Sequence, residues 1–166
     1  RNYIHSHYYE QTIFDRFIMI DDDVENIMKL NKKNPKVLQE LDEHSFKTFV
    51  NDAFRFTEYE GLSLWGVSPF HNPFFLSFNS SMNLKQIPGA FQGICIRRDR
   101  YLIHCDIDHM EDSQFSLEYF LRDSGVVRFN SICLITKYFE EQGGIAGSLG
   151  GNAARKATME PNALYL

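Results

Sequence analysis

Three consecutive carboxylates, Asp21, Asp22 and Asp23, stand directly behind the apolar run Phe17–Ile20 in the stretch "RFIMIDDDVENI". Like charges held this close repel one another, so a chain that delivers three of them to one point favours a cation there. Hard divalent ions take oxygen ligands, and Mg²⁺ or Mn²⁺ commonly bind through one or two carboxylates plus the oxygens of a substrate phosphate. If the backbone stays extended, Asp21 and Asp23 project to the same side and form an Asp-x-Asp pair, the candidate metal ligands. The plainer alternative is a solvated acidic turn, where aspartate is common in any case.

Further along, "WGVSPFHNPFF" (Trp65 to Phe75) sets aromatic rings among two prolines. Aromatic faces can stack on a sugar ring or on an extruded base. Trp65 and His71 are the candidates for that role, and Phe74 and Phe75 are expected in the core at the edge of a loop. The other histidines show no metal-binding spacing, and His5 and His7 fall on different faces of one helix. The cysteines Cys95, Cys105 and Cys133 are odd in number and lack a CxxC spacing, which points to reduced thiols and an intracellular setting.

A chain of 166 residues that is 43% hydrophobic, with Phe 15 and Tyr 8, buries a sizeable core, and one domain over residues 1–166 is expected. No run approaches the length of a membrane span, and no apolar leader opens the sequence. The net charge is −5, spread along both halves. A protein that holds nucleic acid by phosphate neutralisation normally shows a basic face. The short cluster Arg97, Arg98 and Arg100 reads better as a solvated strand end.

The elements that position these residues alternate between strand and helix, the pattern of an α/β layered fold. Arg1 to Phe14 reads as a helix with Ile4, Tyr8 and Ile13 on its apolar face, and Phe17 to Ile20 as a short buried strand. Residues 31–43 are polar, an excursion or short helix. A helix begins at Ser45 as N-cap, with Phe46, Phe49, Ala53 and Phe56 at helical spacing. Strands are expected at "LSLWGV", "FFLSF", "FQGICI" and "YLIHCDI". A second helix runs from Glu111 with Phe115, Phe120 and Leu121 packed and Gly125 as its C-terminal cap. Two strands, "VVRFN" and "ICLITKYF", and a glycine-rich segment close the chain. In open α/β sheets ligands collect at the carboxyl ends of strands, where the aspartates fall.

An apolar strand ending in "DDDV" behind a helix beginning "RNYI" resembles the Asp-x-Asp region of GT-A type nucleotide-sugar glycosyltransferases. "WGVSPFHNPFF", "GAFQGICIRRD" (Gly89 to Asp99) and "EDSQFSLEYFLRDSG" (Glu111 to Gly125) follow in that family's order. The triple aspartate and "WGVSP…NPFF" look most like the TET-associated glycosyltransferases, implicated in adding sugar to hydroxymethylated pyrimidines in DNA, chiefly in viruses, phages and some protists.

The resemblance implies a GT-A-like mixed sheet with flanking helices, and the part of that fold usually preceding the Asp-x-Asp is missing here. Either the chain is a fragment or its donor site is built differently. It also implies a nucleotide-sugar donor, foremost a UDP-sugar, bound through Mn²⁺ or Mg²⁺ on Asp21 and Asp23, with Asp21 and Asp22 beside the donor. A carboxylate of the "ED" helix, Asp112 first and Glu111 second, would be the base of an inverting transfer. The same two acids are equally ordinary first-turn charges facing the helix dipole. In the glycine-rich segment Gly143 to Ala157, Arg155 and Lys156 are the weaker candidates for the donor phosphates, and a ligand-free loop is as good a reading. Outside this family, the same carboxylates would suit a metal-dependent nucleotidyltransferase or nuclease, or the fold could serve as a non-catalytic interaction domain.

Overall fold

In the computed structural model, residues 2–11, 13–107 and 110–137 are described. Helix α1 (Asn2–Glu10) leads to strands β1 (Arg16–Ile20), β2 (Val24–Leu30) and β3 (Leu38–Glu40), then helix α2 (Glu43–Tyr59) and strand β4 (Leu64–Ser68). Strands β5 (Ser80–Ser81) and β6 (Phe91–Cys95), helix α3 (Glu111–Asp123) and the long strand β7 (Val127–Thr136) complete the order. The architecture is α/β, with all strands in one mixed sheet ordered β1-β6-β4-β7-β2-β3 and β5 beside β7. Every pairing is antiparallel except β4 with β7.

The sheet order and the chain length between β1 and β2 together dictate its shape. Three strands lie between β1 and β2, which in a flat sheet separates them by about 19 Å. The chain joining Ile20 to Val24 reaches at most about 14 Å when extended. It is in fact a turn, with the Val24 N–H directed at the Asp21 carbonyl at 3.4 Å. The sheet therefore curls until β1 and β2 approach each other at the aspartates.

Helix α2 fills the resulting hollow. Phe46, Phe49, Val50, Ala53, Phe54 and Phe56 pack against Ile18 of β1, Phe91 and Cys95 of β6, Trp65 and Val67 of β4, Val127, Phe129, Ile132 and Leu134 of β7, and Val24 and Ile27 of β2. The helical spacing read from the sequence is confirmed, and Phe54, 3% exposed, joins it. The cap lies three residues earlier than expected. Asp42 accepts from the Ser45 N–H at 2.9 Å and from its hydroxyl at 2.7 Å, so Ser45 sits inside the first turn.

The other sheet face carries α3 and α1 over Leu64, Ile87, Ile94 and Val126. On α1 the buried residue is His5, stacked on Phe115 at 4.6 Å, with Tyr8 stacked on Phe17 at 4.9 Å. Ile4 and Ile13, expected on the packed face, are exposed. At the far end of α3 the Arg122–Asp123 pair is buried, and Arg122 also donates to the Ser63 hydroxyl and the Tyr101 carbonyl.

Several expected elements differ, each for a physical reason. "YLIHCDI" is not a strand, because side chains take its backbone bonds: Asn2 bonds both main-chain groups of Cys105, and Gln114 Oε1 accepts from Asp106 and Ile107. "FFLSF" begins as a short 3-10 helix, Pro73–Phe75, because Asn72 caps it and proline suits its first position. The two closing strands are one, which pairs with β4 along one edge and, along the other, with β5 at Arg128 and Phe129 and then with β2 from Ile132. Ser124 rather than Gly125 takes the left-handed cap of α3, at φ 63°. A glycine is needed at 125 for space, since a Cβ there would stand 2.9 Å from the Met82 carbonyl oxygen.

Candidate functional site

The aspartates occupy the turn between β1 and β2, with Asp22 exposed and Asp21 and Asp23 half-buried. On one side the Asp21 N–H donates to the Ala90 carbonyl at 3.0 Å, at the start of β6. On the other the Lys137 N–H donates to the Asp23 carbonyl at 3.0 Å, beyond the end of β7. Gly66 of β4 pairs with Gln92 of β6, and Ser68 with Cys133 of β7. The turn thus spans the point where β4 stops, at the carboxyl ends of the two parallel strands. The aspartates do stand at the carboxyl ends of strands, as read from the sequence, although β1 itself is an antiparallel edge strand.

Asp112 reaches the same point from α3. Its Oδ2 accepts from the Gly89 N–H at 3.4 Å and from Gln86 Nε2 at 3.0 Å, while Oδ1 accepts from the Ser113 N–H at 2.8 Å. Gly89 and Ala90 are adjacent, so Asp21 and Asp112 are anchored on one buried dipeptide. Met110, before α3, is held in the left-handed region at φ 67°, which is uncommon for a residue with a Cβ and clusters at functional sites. The Glu111 side chain is half-buried beside it.

Asp23 Oδ1 is buried and has no hydrogen-bond partner. A desolvated carboxylate oxygen without a donor is unfavourable unless a cation occupies that place. Among the described residues no three His, Cys, Asp or Glu side chains converge as a closed metal cage. The backbone turns through Asp22 and Asp23 instead of staying extended, so the same-side projection expected of Asp21 and Asp23 does not follow from it, and the carboxylate oxygen that fits a cation is Asp23 Oδ1.

The aromatic segment reverses the sequence expectation. Trp65 is fully buried among Phe49, Phe54, Phe91 and Phe129, with no face open to an acceptor. Phe74 and Phe75, expected in the core, are 85% and 60% exposed. β4 is buried on both sides, so its tryptophan is core, and the Pro-flanked loop beyond it carries the open rings. His71 is exposed on that loop, just past Ser68. No family model, curated protein or solved structure matches the chain.

The three arginines read as a strand end are engaged with protein groups. Arg98 donates to the carbonyls of Tyr9, Gln11 and Phe14 and closes the end of α1, Arg97 pairs with Asp99, and Arg100 donates to the Arg122 carbonyl. The cysteines are free thiols, two of them buried. Arg155, Lys156 and the glycine-rich segment lie outside the described residues. A depression of about 700 Å³ along α2, lined by Asp52, Arg55, Phe56, Glu58 and Tyr59, is at the wrong end of the sheet. Glu58 pairs with Arg16 at the start of β1, away from Asp21 at its finish. No described helix is long and apolar enough to cross a membrane.

Sequence reasoning missed Gln86, which orients Asp112, and Arg128 with Asn130 on β7. The signal for the last two was a charged residue inside the otherwise apolar strand run "VVRFN".

Proposed function

We propose that this chain is a metal-dependent nucleotide-sugar glycosyltransferase of GT-A type, with the aspartate turn as its metal-binding element. The single observation that supports it most is the anchoring of Asp21 and Asp112 on Gly89–Ala90. That arrangement brings the aspartate turn and the Asp112 carboxylate to one end of a parallel strand pair, which supports a reading as transfer from a sugar diphosphate to a hydroxyl.

Asp21 and Asp23 would hold the ion, with Asp22 at the solvent side of the turn, beside the donor. A bound Mn²⁺ or Mg²⁺ supplies Lewis-acid neutralisation of the departing diphosphate. Asp112 takes the proton of the acceptor hydroxyl as it attacks the anomeric carbon, which inverts configuration. Hydrogen bonds from Gln86, Gly89 and Ser113 fix its orientation, and a second lone pair on Oδ1 is left for the incoming proton. Glu111 is the second choice. His71 and the exposed rings of its loop face the acceptor, a hydroxymethylated pyrimidine of DNA, in an intracellular, viral or phage setting.

The deciding experiment is nucleoside diphosphate release from a panel of UDP- and other nucleotide-sugars with Mn²⁺, with and without hydroxymethylated DNA. Acceptor-dependent release, abolished by Asp23→Asn, is expected. Nucleoside triphosphate consumption or strand cleavage without any sugar donor would replace this reading with a nucleotidyltransferase or nuclease.

A further inference from the structure

Arg128 lies inside β7, opposite Gly66 of β4 and Ser81 of β5. It is half-buried, and burial alone pushes its pKa down, with no acid opposing the shift. Its Nε donates to Asn130 Oδ1 at 2.8 Å, and among the described residues its side chain makes no other hydrogen bond and no ion pair. Every other arginine of the 97–128 stretch is matched to a carboxylate. The half-buried guanidinium keeps its terminal N–H groups unmatched by protein acceptors, which leaves its planar fork open to a ligand oxyanion.

The geometry also fixes where the fork points. Asn130 is two residues further along β7, on the same sheet face, so the Arg128 side chain runs toward the carboxyl end of the strand. That is the end at which β4 stops and the aspartate turn crosses. Asn130, 8% exposed, is itself locked. Its Nδ2 donates to Asn79 Oδ1 at 2.9 Å, its N–H donates to the Asn79 carbonyl at 3.0 Å, and its carbonyl accepts from Ser77 at 3.1 Å. The amide oxygen is thereby turned to Arg128, and the arginine is positioned by a buried, paired amide.

We infer that Arg128 is a diphosphate-binding residue, its fork taking phosphoryl oxygens of the donor across the end of β4 from the aspartate turn. The assignment of the oxyanion to the donor rests on the glycosyl-transfer reading, whereas oxyanion binding by Arg128 does not. A departing nucleoside diphosphate carries about three negative charges. A divalent ion offsets two of them, and the fork supplies the third, in the bidentate geometry that phosphate prefers. A nucleic-acid backbone instead calls for several cations along a groove, and Arg128 is a single one.

The test is calorimetric titration of the whole chain with inorganic pyrophosphate, first in EDTA and then with Mn²⁺. Wild type is expected to bind in EDTA, Arg128→Gln to lose about tenfold or more, and Arg128→Lys to fall between them, since it keeps charge but not the fork. Asp23→Asn is expected to keep the metal-free binding and lose the Mn²⁺ enhancement, which separates failure of the metal reading from failure of this one. Wild type that ignores pyrophosphate, or folded Arg128→Gln or Arg128→Lys protein that binds it like wild type, overturns the inference. An effect of Arg128→Gln confined to a hydroxymethylated oligonucleotide overturns it too, and assigns the arginine to the acceptor strand. If Arg128→Gln does not fold, the Arg128→Lys protein decides alone.

Discussion

Asp21 and Asp112 are bound to neighbouring residues: the Asp21 N–H to the carbonyl of Ala90, and the Asp112 carboxylate to the N–H of Gly89. One turn and one helix start, far apart in the chain, are thus tied to the same buried step before β6.

Asp23→Asn removes a charge whose Oδ1 is buried and unpartnered. The metal-free variant should be as stable as the parent or more so, by up to about 1 kcal/mol. The rise in melting temperature that Mn²⁺ with UDP gives the parent should vanish. Thermal melts with and without both ligands check this, and a metal-free variant that melts well below the parent refutes the cation role of Oδ1.

Asp112→Asn should lower kcat by about 10²- to 10⁴-fold, the usual contribution of a positioned base, with little change in donor KM. Glu111→Gln should leave kcat near that of the parent. The measurement is nucleoside diphosphate release at saturating donor. Equal losses from both substitutions would mean that the start of α3 matters as a structure rather than as a base.

Gly93 lies against the tryptophan at the centre of the core. A Cβ at this position would stand 1.9 Å from Trp65 Cε2, within the strand pairing of β4 and β6. Gly93→Ala should cost about 3 kcal/mol. Because the clash is with one ring, Gly93→Ala combined with Trp65→Leu should lose less than the two single losses together. Urea unfolding midpoints of the three variants decide it, and strict additivity would place the strain elsewhere.

Burial pushes the Cys95 thiol up to about 12 and the Cys133 thiol up to about 11. For a thiol raised in the folded state, stability is complete below the unfolded value and falls as the unfolded chain ionises first. Stability should therefore be level up to about pH 9 and decline from there toward 11 and 12. Chemical denaturation across pH 7 to 11 follows this, and Cys95→Ala with Cys133→Ala should flatten the decline. Iodoacetamide at neutral pH should label Cys105, which is half-buried, well before the other two.

Much of the candidate site was legible because its residues announce themselves locally. The "IMIDDDV" junction and the "ED" opening of α3 each combine a charge cluster with an element boundary, and both sit where the reading placed them. The aromatic loop was misjudged because stacking chemistry favours tryptophan wherever it stands, while burial depends on what covers the strand. β4 lies between β6 and β7 with α2 over one face, so Trp65 is enclosed and the rings beyond Ser68 are left open. β2 escaped notice because "VENIMKL" mixes polar and apolar residues as an edge-side strand of a curled sheet does, without clean alternation.

The sequence by itself determined the elements whose signal is short-range: the amphipathic turns of α2 and α3, the apolar strands β1, β4 and β6, and the acidic turn, since periodicity and charge act over a few residues. Only the tertiary structure decided which of them meet. Strand order, the curl that lets a three-residue turn cross the end of β4, and the Asn79 contacts that lock Asn130 beside Arg128 all depend on hydrogen bonds between segments distant in the chain. No local pattern of side chains specifies those partners.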